Sequence, residues 1–378
     1  MNTTRNGDAS LAILGSYPPP YGGVAVHVQR LGPLLESRGI SYVIYNGTSD
    51  AGDGRRVVPI YSRRRSWMIR YLFVGREPAV YILSDRLGAW LIGALMASLR
   101  GKRVMVRLRN VTLPDLIRRG GWRRWLAGYA MRRMAGIVCV SRQLQESAGS
   151  LGVEPGRLFW SPGFLPPDIG SIGRKAVDAG VWPFVEAHSP VVAANGKVNW
   201  YEGTDLYGLD MLVELAARLK GEYPRIGIVV CFWDFKPVEQ ARLNELMARA
   251  RQLGVAENLL FNTARGEFVP VLAESDVFVR PTNTDGDANS IREALYLGVP
   301  AVASDVVERP EGTILFRTRD MDDFEEKVRA ALKITSGSVG RPRGLLAQED
   351  RDRIEGYLAL LSDAAEGRDP VAARGAHR

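Results

Sequence analysis

The run from Asp276 to Ser304 carries the side chains best spaced for chemistry. Val277 to Val279 reads as a buried strand, and a polar turn containing Gly286 follows it. A helix then ends at Gly298, before Pro300 and a second apolar strand from Val299 to Ala303. Small residues at Gly286, Ala288 and Ser290 let a ligand approach the backbone, and the free N–H groups that open a helix favour an anion. Asp285 and Glu293 stand eight positions apart, one in the turn and the other about one helical turn inside. Two such carboxylates could grip a sugar and a ribose on either side of a diphosphate. The plainer alternative is a strand-turn-helix unit whose acids cap the helix.

Such a unit needs a parallel sheet to hold it, and the chain reads as two α/β halves. In the first, Leu11 to Leu14 is a strand, Tyr17 to Gly23 a loop, and Val24 to Ser37 a helix ended by Gly39. Strand-like runs follow at Tyr42 to Tyr45, Val80 to Leu83, Val104 to Leu108 and Gly136 to Val140. This alternation predicts a doubly wound parallel sheet with its ligand site at the carboxyl ends of the strands. The Pro-rich segment from Ser161 to Pro167 reads as a linker. Beyond it the pattern restarts with Val191 to Ala194, helix Leu209 to Lys220, strand Ile226 to Phe232, helix Val238 to Leu253 and strand Leu259 to Phe261. The expected domains are 1–165 and 166–347, with a final helix over 348–364. A length of 378 residues and an apolar fraction of 46% suit two cores.

The motif order resembles the retaining GT-B glycosyltransferases of family 4, in which two acids seven residues apart precede an "EAL…G-x-P-V-V-A-S" run. Here that run is Glu293-Ala-Leu295 and Leu297-Gly-Val-Pro-Ala-Val-Ala-Ser304. Weaker matches are Tyr21-Gly22-Gly23-Val24, Val138-Cys-Val-Ser141 and Asn195-Gly196-Lys197, so the resemblance spans most of the chain in order. It implies a GT-B fold, two doubly wound Rossmann-like domains facing across a cleft, with the last helix crossing back onto the N-terminal domain. It also implies residue roles. Glu293 would hold the ribose hydroxyls, while Ser290 and Lys197 meet the diphosphate. Asp285, Gly286, Asp287, Ala288 and Asn289 would face the donor sugar, and the Gly22-Gly23 turn would approach the diphosphate and the acceptor.

Three departures qualify the resemblance. The first acid is Asp285 where Glu is usual, which leaves the donor sugar open. The family's second basic residue falls on Tyr207, so Lys236, Arg265 or Arg280 must compensate, Arg280 standing beside the diagnostic turn. The strand Val104 to Asn110 ends in Arg107, Arg109 and Asn110 where many relatives place a histidine. The resemblance therefore implies a nucleotide-sugar donor and a lipid-linked saccharide acceptor, with Lys197, Asp285 and Arg280 as the catalytic set. The alternatives are a GT-B sugar-nucleotide epimerase and a binding-only homologue. Asp285-Gly286-Asp287 also matches the Asp-x-Asp pattern by which another glycosyltransferase fold binds a divalent cation. Lys197 and a helix N-terminus can carry the phosphate charge instead, so no metal or other cofactor is expected.

Charge divides the chain. Residues 1–165 hold 24 Lys+Arg against 9 Asp+Glu, and residues 166–378 hold 26 against 33. An excess of +15 beside one of −7 points to an anionic partner for the first half. No nucleic-acid reading motif accompanies the arginines. In Arg118 to Arg133, Trp122, Trp125, Leu126 and Tyr129 recur at helical spacing among Arg123, Arg124, Arg132 and Arg133. That is the pattern of an interfacial helix on anionic lipid; a helix with its aromatics in its own core is the alternative. The apolar run Leu87 to Leu99 is too short to span a bilayer and reads as a buried helix. Cys139 and Cys231 sit in strand-like runs as reduced core residues. His27, His188 and His377 are too far apart for a zinc site, and no signal-peptide run opens the chain. The expected location is cytoplasmic, peripheral on the inner face of the cytoplasmic membrane.

Overall fold

The computed structural model of the chain describes residues 9–368 except 20, 111, 172, 202, 233, 234, 286, 287 and 337–343. Contacts divide the chain into two compact units, residues 1–165 with 348–378, and residues 166–347.

In the first unit, strands β1 (Leu11–Gly15), β2 (Tyr42–Asn46), β3 (Val57–Pro59), β4 (Ala79–Ile82), β5 (Arg103–Leu108), β6 (Gly136–Cys139) and β7 (Leu158–Trp160) form one sheet. Its order is β3-β2-β1-β4-β5-β6-β7, with every pair parallel. Parallel pairing needs crossovers, which helices α1 (Gly23–Glu36), α2 (Arg64–Val74), α3 (Leu87–Arg100), α4 (Thr112–Arg119), α5 (Gly121–Met131) and α6 (Arg142–Gly149) supply. Leu14 and Val80 from the sheet, Tyr71 from α2, Trp90 from α3 and Met131 from α5 share one core. The helices α2, α3 and α5 thus cover the same face of the sheet.

In the second unit, β8 (Val191–Gly196) is central. A short hairpin, β9 (Trp200–Tyr201) with β10 (Thr204–Asp205), follows it, and then come β11 (Gly227–Phe232), β12 (Leu259–Asn262), β13 (Val277–Arg280), β14 (Ala301–Ser304) and β15 (Ile314–Phe316). The main sheet runs β12-β11-β8-β13-β14-β15, again all parallel. Helices α7 (Val181–Ala187), α8 (Leu209–Leu219), α9 (Gln240–Gln252), α10 (Val269–Ala273), α11 (Asn289–Tyr296) and α12 (Met321–Ser336) flank it. The last helix, α13 (Gln348–Ala365), belongs to the first unit, against α1, β1 and β7.

Two expectations need correction. Arg118 to Arg133 is not one helix: Gly120 and Gly121, both at φ 66°, break it into α4 and α5. That backbone region is left-handed and favours glycine. The α3 helix is not buried all round either, since Leu99 is 65% exposed while Trp90 and Met96 are fully enclosed. Its apolar length covers the sheet on one side and faces outward on the other.

Candidate functional site

In an open parallel sheet, ligands bind beyond the carboxyl ends of the strands where the winding direction reverses. In the second unit that point lies between β8 and β13. Several of the expected residues stand at these strand ends. Asn195, Gly196 and Lys197 end and follow β8, Arg280 closes β13, and α11 begins at Asn289 behind Ala288. Gly286 and Asp287 lie outside the described residues.

Local chemistry fixes the frame. The α11 helix stops where Gly298 turns to φ 70°, with Gly298 N–H donating to the Leu295 carbonyl and Val299 N–H to that of Ala294. Gly208 also sits at positive φ, and a Cβ there would overlap the Pro281 carbonyl oxygen. No other residue permits that approach. The Asp205–Gly208 loop is thereby pressed against the end of β13, with Asn283 N–H donating to the Leu206 carbonyl at 2.9 Å. The Asp205 carboxylate accepts the backbone N–H groups of Tyr207 (3.0 Å) and Asp210 (3.2 Å), and burial pushes its pKa up to about 6.

A buried ionic network occupies the centre. Asp285 accepts from Arg280 through Nε and Nη2, both at 2.8 Å, and from Arg309 Nη1 at 2.8 Å. Arg309 also donates to the Ser304 carbonyl and to Thr282 Oγ1, while Arg280 Nη1 donates to Asn195 Oδ1 at 3.1 Å. The three charged side chains are 8% exposed or less. Burial would raise the Asp285 pKa, but the two guanidiniums outweigh burial and hold the carboxyl at about 2. Among the described residues, two guanidiniums share this one carboxylate at the mouth of the turn. The Arg280 guanidinium lies 5.6 Å from the centre of the Tyr207 ring, the position that lacks the second basic residue.

Sequence reasoning brought Asp285 and Arg280 together but did not single out Arg309. Arg309 lies 24 positions beyond Asp285, and only the return of the chain through β14 brings it back. Ser290 and Glu293 are buried on α11, and the buried Asn289 Oδ1 and Asn283 Oδ1 lack hydrogen-bond partners. Lys197 is half-buried. Among the described residues, no cluster of three His, Cys, Asp or Glu side chains is arranged to hold a metal ion.

In the first unit, Gly22 caps α1 at the carboxyl end of β1, also a reversal point of its sheet. A Cβ at Gly22 or Gly23 would meet no atom within 4 Å, and Gly22 has φ −107°. Neither packing nor the Gly22 backbone requires glycine, so bare backbone is what these positions offer. Of the residues standing where relatives have histidine, Arg107 is buried against the carbonyls of Ser161 (3.2 Å) and Pro162 (2.5 Å), and Arg109 pairs with Asp85 at 2.9 Å. His27 lies between the Gly163 carbonyl and the Tyr357 hydroxyl, and burial, reinforced by the Arg107 charge, lowers its pKa well below the usual value.

The α5 residues divide by face. Trp122, Arg123, Arg124 and Trp125 point to solvent, as do Arg132 and Arg133, while Leu126 and Tyr129 are half-buried. The two tryptophans are therefore not core residues. No described helix is long and apolar enough to cross a membrane.

Comparison with known proteins fits this architecture. Residues 169–333 match the family model "Glycosyl transferases group 1". A curated relative, the lipopolysaccharide core biosynthesis mannosyltransferase LpsB of Rhizobium meliloti (strain 1021), is 27% identical over 192 residues. The match takes in half of this chain and 49% of that protein, so the chain spans about half the length of the curated relative. Two solved structures resemble nearly the whole chain. Anabaena Alr3699/HepE in complex with UDP-glucose has a TM-score of 0.53 at 14% identity, covering 96% of both chains. WaaG, a glycosyltransferase involved in lipopolysaccharide biosynthesis, has a TM-score of 0.56 at 14% identity, also over 96% of both. Residues 169–333 are thus a glycosyl transferase group 1 domain, carried in a chain with the two-sheet α/β fold of the GT-B glycosyltransferases.

Proposed function

We propose that this chain is a retaining glycosyltransferase of the family 4 type, moving a sugar from a nucleoside-diphosphate sugar to a lipid-linked saccharide acceptor in bacterial polysaccharide synthesis. The donor is assigned to the second unit and the acceptor to the first, with the protein peripheral on the inner face of the cytoplasmic membrane. One observation carries the reading. Arg280 is held in place by Asp285 at the carboxyl end of β13, over the Tyr207 ring, where a leaving diphosphate needs a cation. Lys197 and the first N–H groups of α11 would add to it, Glu293 would hold the ribose, and Ala288, Asn289 and Ser290 would line the sugar and phosphate path. Asp285 acts on this reading by positioning both guanidiniums. Gly22 and Gly23 would present bare backbone.

The reaction balances simply. An acceptor hydroxyl oxygen forms a bond to the anomeric carbon while the bond from that carbon to the diphosphate oxygen breaks. The hydroxyl proton passes to the leaving phosphate on the same face, so no protein carboxylate nucleophile is needed. The reading invokes no metal, because the fixed arginines would supply positive charge to the leaving diphosphate.

The UDP-glucose complex of HepE and the mannosyltransferase relative make nucleoside-diphosphate hexoses the first donors to test. A thermal-shift panel finds the donor, since a ligand stabilises only the state that binds it. Release of nucleoside diphosphate that requires both donor and acceptor supports transfer. Epimerised donor without acceptor favours the epimerase, and binding without turnover the binding-only homologue.

A further inference from the structure

The exposed tryptophans of α5 belong to a wider surface. The helices α2, α3 and α5 lie side by side on one face of the first sheet and share its core, with α3 in the middle. Arg100 at the end of α3 donates to the Phe73 carbonyl of α2, and Arg133 beyond α5 donates to Ser98 of α3 at 2.7 Å. The inner sides of all three pack on the sheet, so their outer sides face the same way. On that outer side Ile69, Phe73, Val74, Leu99, Trp122 and Trp125 are each 57 to 66% exposed.

The charge on this layer has one sign. Not one Asp or Glu occurs in α2, α3 or α5, whereas Arg64, Arg65, Arg70, Arg100, Arg123 and Arg124 do. Over residues 61–133 there are three acids, and each is occupied. Glu77 accepts from the Tyr45 and Tyr71 hydroxyls, Asp85 pairs with Arg109, and Asp115 pairs with Arg118. Beside α5 an open groove of about 290 Å³ is lined by Arg124, Trp125 and Arg132, and Arg132 is anchored through Nη1 to the Leu151 carbonyl at 2.7 Å.

Large apolar side chains on a water-facing surface have an unfavourable environment that only an apolar partner relieves. Arginines without acids in the same helices favour an anionic one. A bilayer of anionic phospholipid meets both demands at once, because tryptophan and aliphatic tips enter the headgroup boundary while guanidiniums stay at phosphate depth. We propose that α2, α3 and α5 form one composite docking face for an anionic phospholipid surface, with Arg124 and Arg132 seating a lipid phosphate in the groove beside α5. The inference rests on the reading that the protein works at a membrane, and it extends that reading from one helix to three.

Co-sedimentation of the full chain with phosphatidylglycerol-containing vesicles, and with phosphatidylcholine vesicles alone, tests it. Binding should require the anionic lipid and weaken with salt. Ile69→Ser with Phe73→Ser on α2, Leu99→Ser on α3, and Trp122→Ser with Trp125→Ser on α5 should each reduce partitioning several-fold, and Arg124→Gln with Arg132→Gln should remove the preference for anionic lipid. Stabilisation by a nucleoside-diphosphate sugar, measured in parallel, should be unchanged in every variant. Wild-type binding by the α2 and α3 variants would overturn the composite face and leave α5 alone. No vesicle binding by the wild-type protein would overturn the inference outright, as would light scattering that shows a dimer split by these substitutions or binding to RNA in place of vesicles. Failure of donor binding with intact vesicle binding would instead count against the enzymatic reading.

Discussion

Arg280 and Arg309 share one carboxylate and are nearly out of contact with water, whereas Arg70, Arg123 and Arg124 stand exposed in helices that contain no acid. The first pair is rigid, because Thr282, Ser304 and Asn195 take up further guanidinium N–H groups. Its charge is set by the fold and does not wait for a ligand. The exposed arginines carry their charge on the outside, where solvent and salt screen it and an anionic partner can meet it. Fixed charge suits stabilising a charge that develops at one atom, while a diffuse layer suits a surface of many identical headgroups. The two regions should therefore respond differently to substitution.

The largest difference is expected in stability. Asp285→Asn removes the carboxylate that two buried guanidiniums share, a change that typically costs about 3–5 kcal/mol. Phe73→Ser and Arg123→Gln on the outer helix face should stay within about 0.5 kcal/mol of wild type. Urea denaturation of the three variants measures both. Adding Arg309→Met to Asp285→Asn should recover part of the loss, because the pair of like charges is then removed. Equal stabilities for Asp285→Asn and Phe73→Ser would end the distinction between the regions.

A second contrast concerns pH. Burial raises the Asp205 pKa to about 6, above its unfolded value, so folding takes up a proton there. The contribution of this group is fully present below about pH 4, is lost as pH rises through 6, and is then constant. The change is worth up to about 3 kcal/mol. Asp205→Asn stays neutral and keeps a carbonyl acceptor, so wild type should lose stability relative to it between pH 4 and 6. A flat difference across denaturation curves at pH 4, 5, 6 and 7 would refute the assignment. Asp285 behaves in the opposite sense: its carboxyl is held at about 2, and its contribution disappears only as pH falls toward that value.

How much of this was legible in the sequence follows from what each feature depends on. Apolar runs such as Val277 to Val279 and Ile226 to Phe232 announce buried strands by composition alone. The short edge strands β3, β7 and β15 carry little periodic signal and were not anticipated. The turn from Arg280 to Glu293 was readable because its residues are local. Arg309 was not, since its place depends on the chain returning through β14. The charge excess of residues 1–165 was countable, and α5 could be read by helical spacing. Its union with α2 and α3 depends on sheet order, which no spacing shows. The break at Gly120 and Gly121 carried a signal in the paired glycines themselves.

An intermediate effect is expected on ligand affinity. Glu293 is buried on α11, where the proposed ribose would meet it. A hydrogen bond to a charged group contributes about 1.5–3 kcal/mol, so Glu293→Gln should weaken nucleoside-diphosphate binding roughly tenfold to a hundredfold. Calorimetry gives the affinity, and a thermal melt separates it from any loss of folding. The outer-face variants should bind the nucleotide as wild type does. An unchanged affinity in Glu293→Gln would remove this residue from the donor site.

The smallest expected effect is from chelation. Both oxygens of Asp285 already accept from guanidiniums, so Asp285 could take a divalent cation only by giving up part of that network. The cation would also add positive charge beside the Arg280 and Arg309 guanidiniums. Transfer should therefore persist unchanged in excess EDTA, measured as donor-dependent nucleoside-diphosphate release with acceptor present. Loss of activity restored by magnesium or manganese would mean that the turn, like the helix face, depends on a counter-ion from outside, and the contrast between fixed and borrowed charge would fail at its centre.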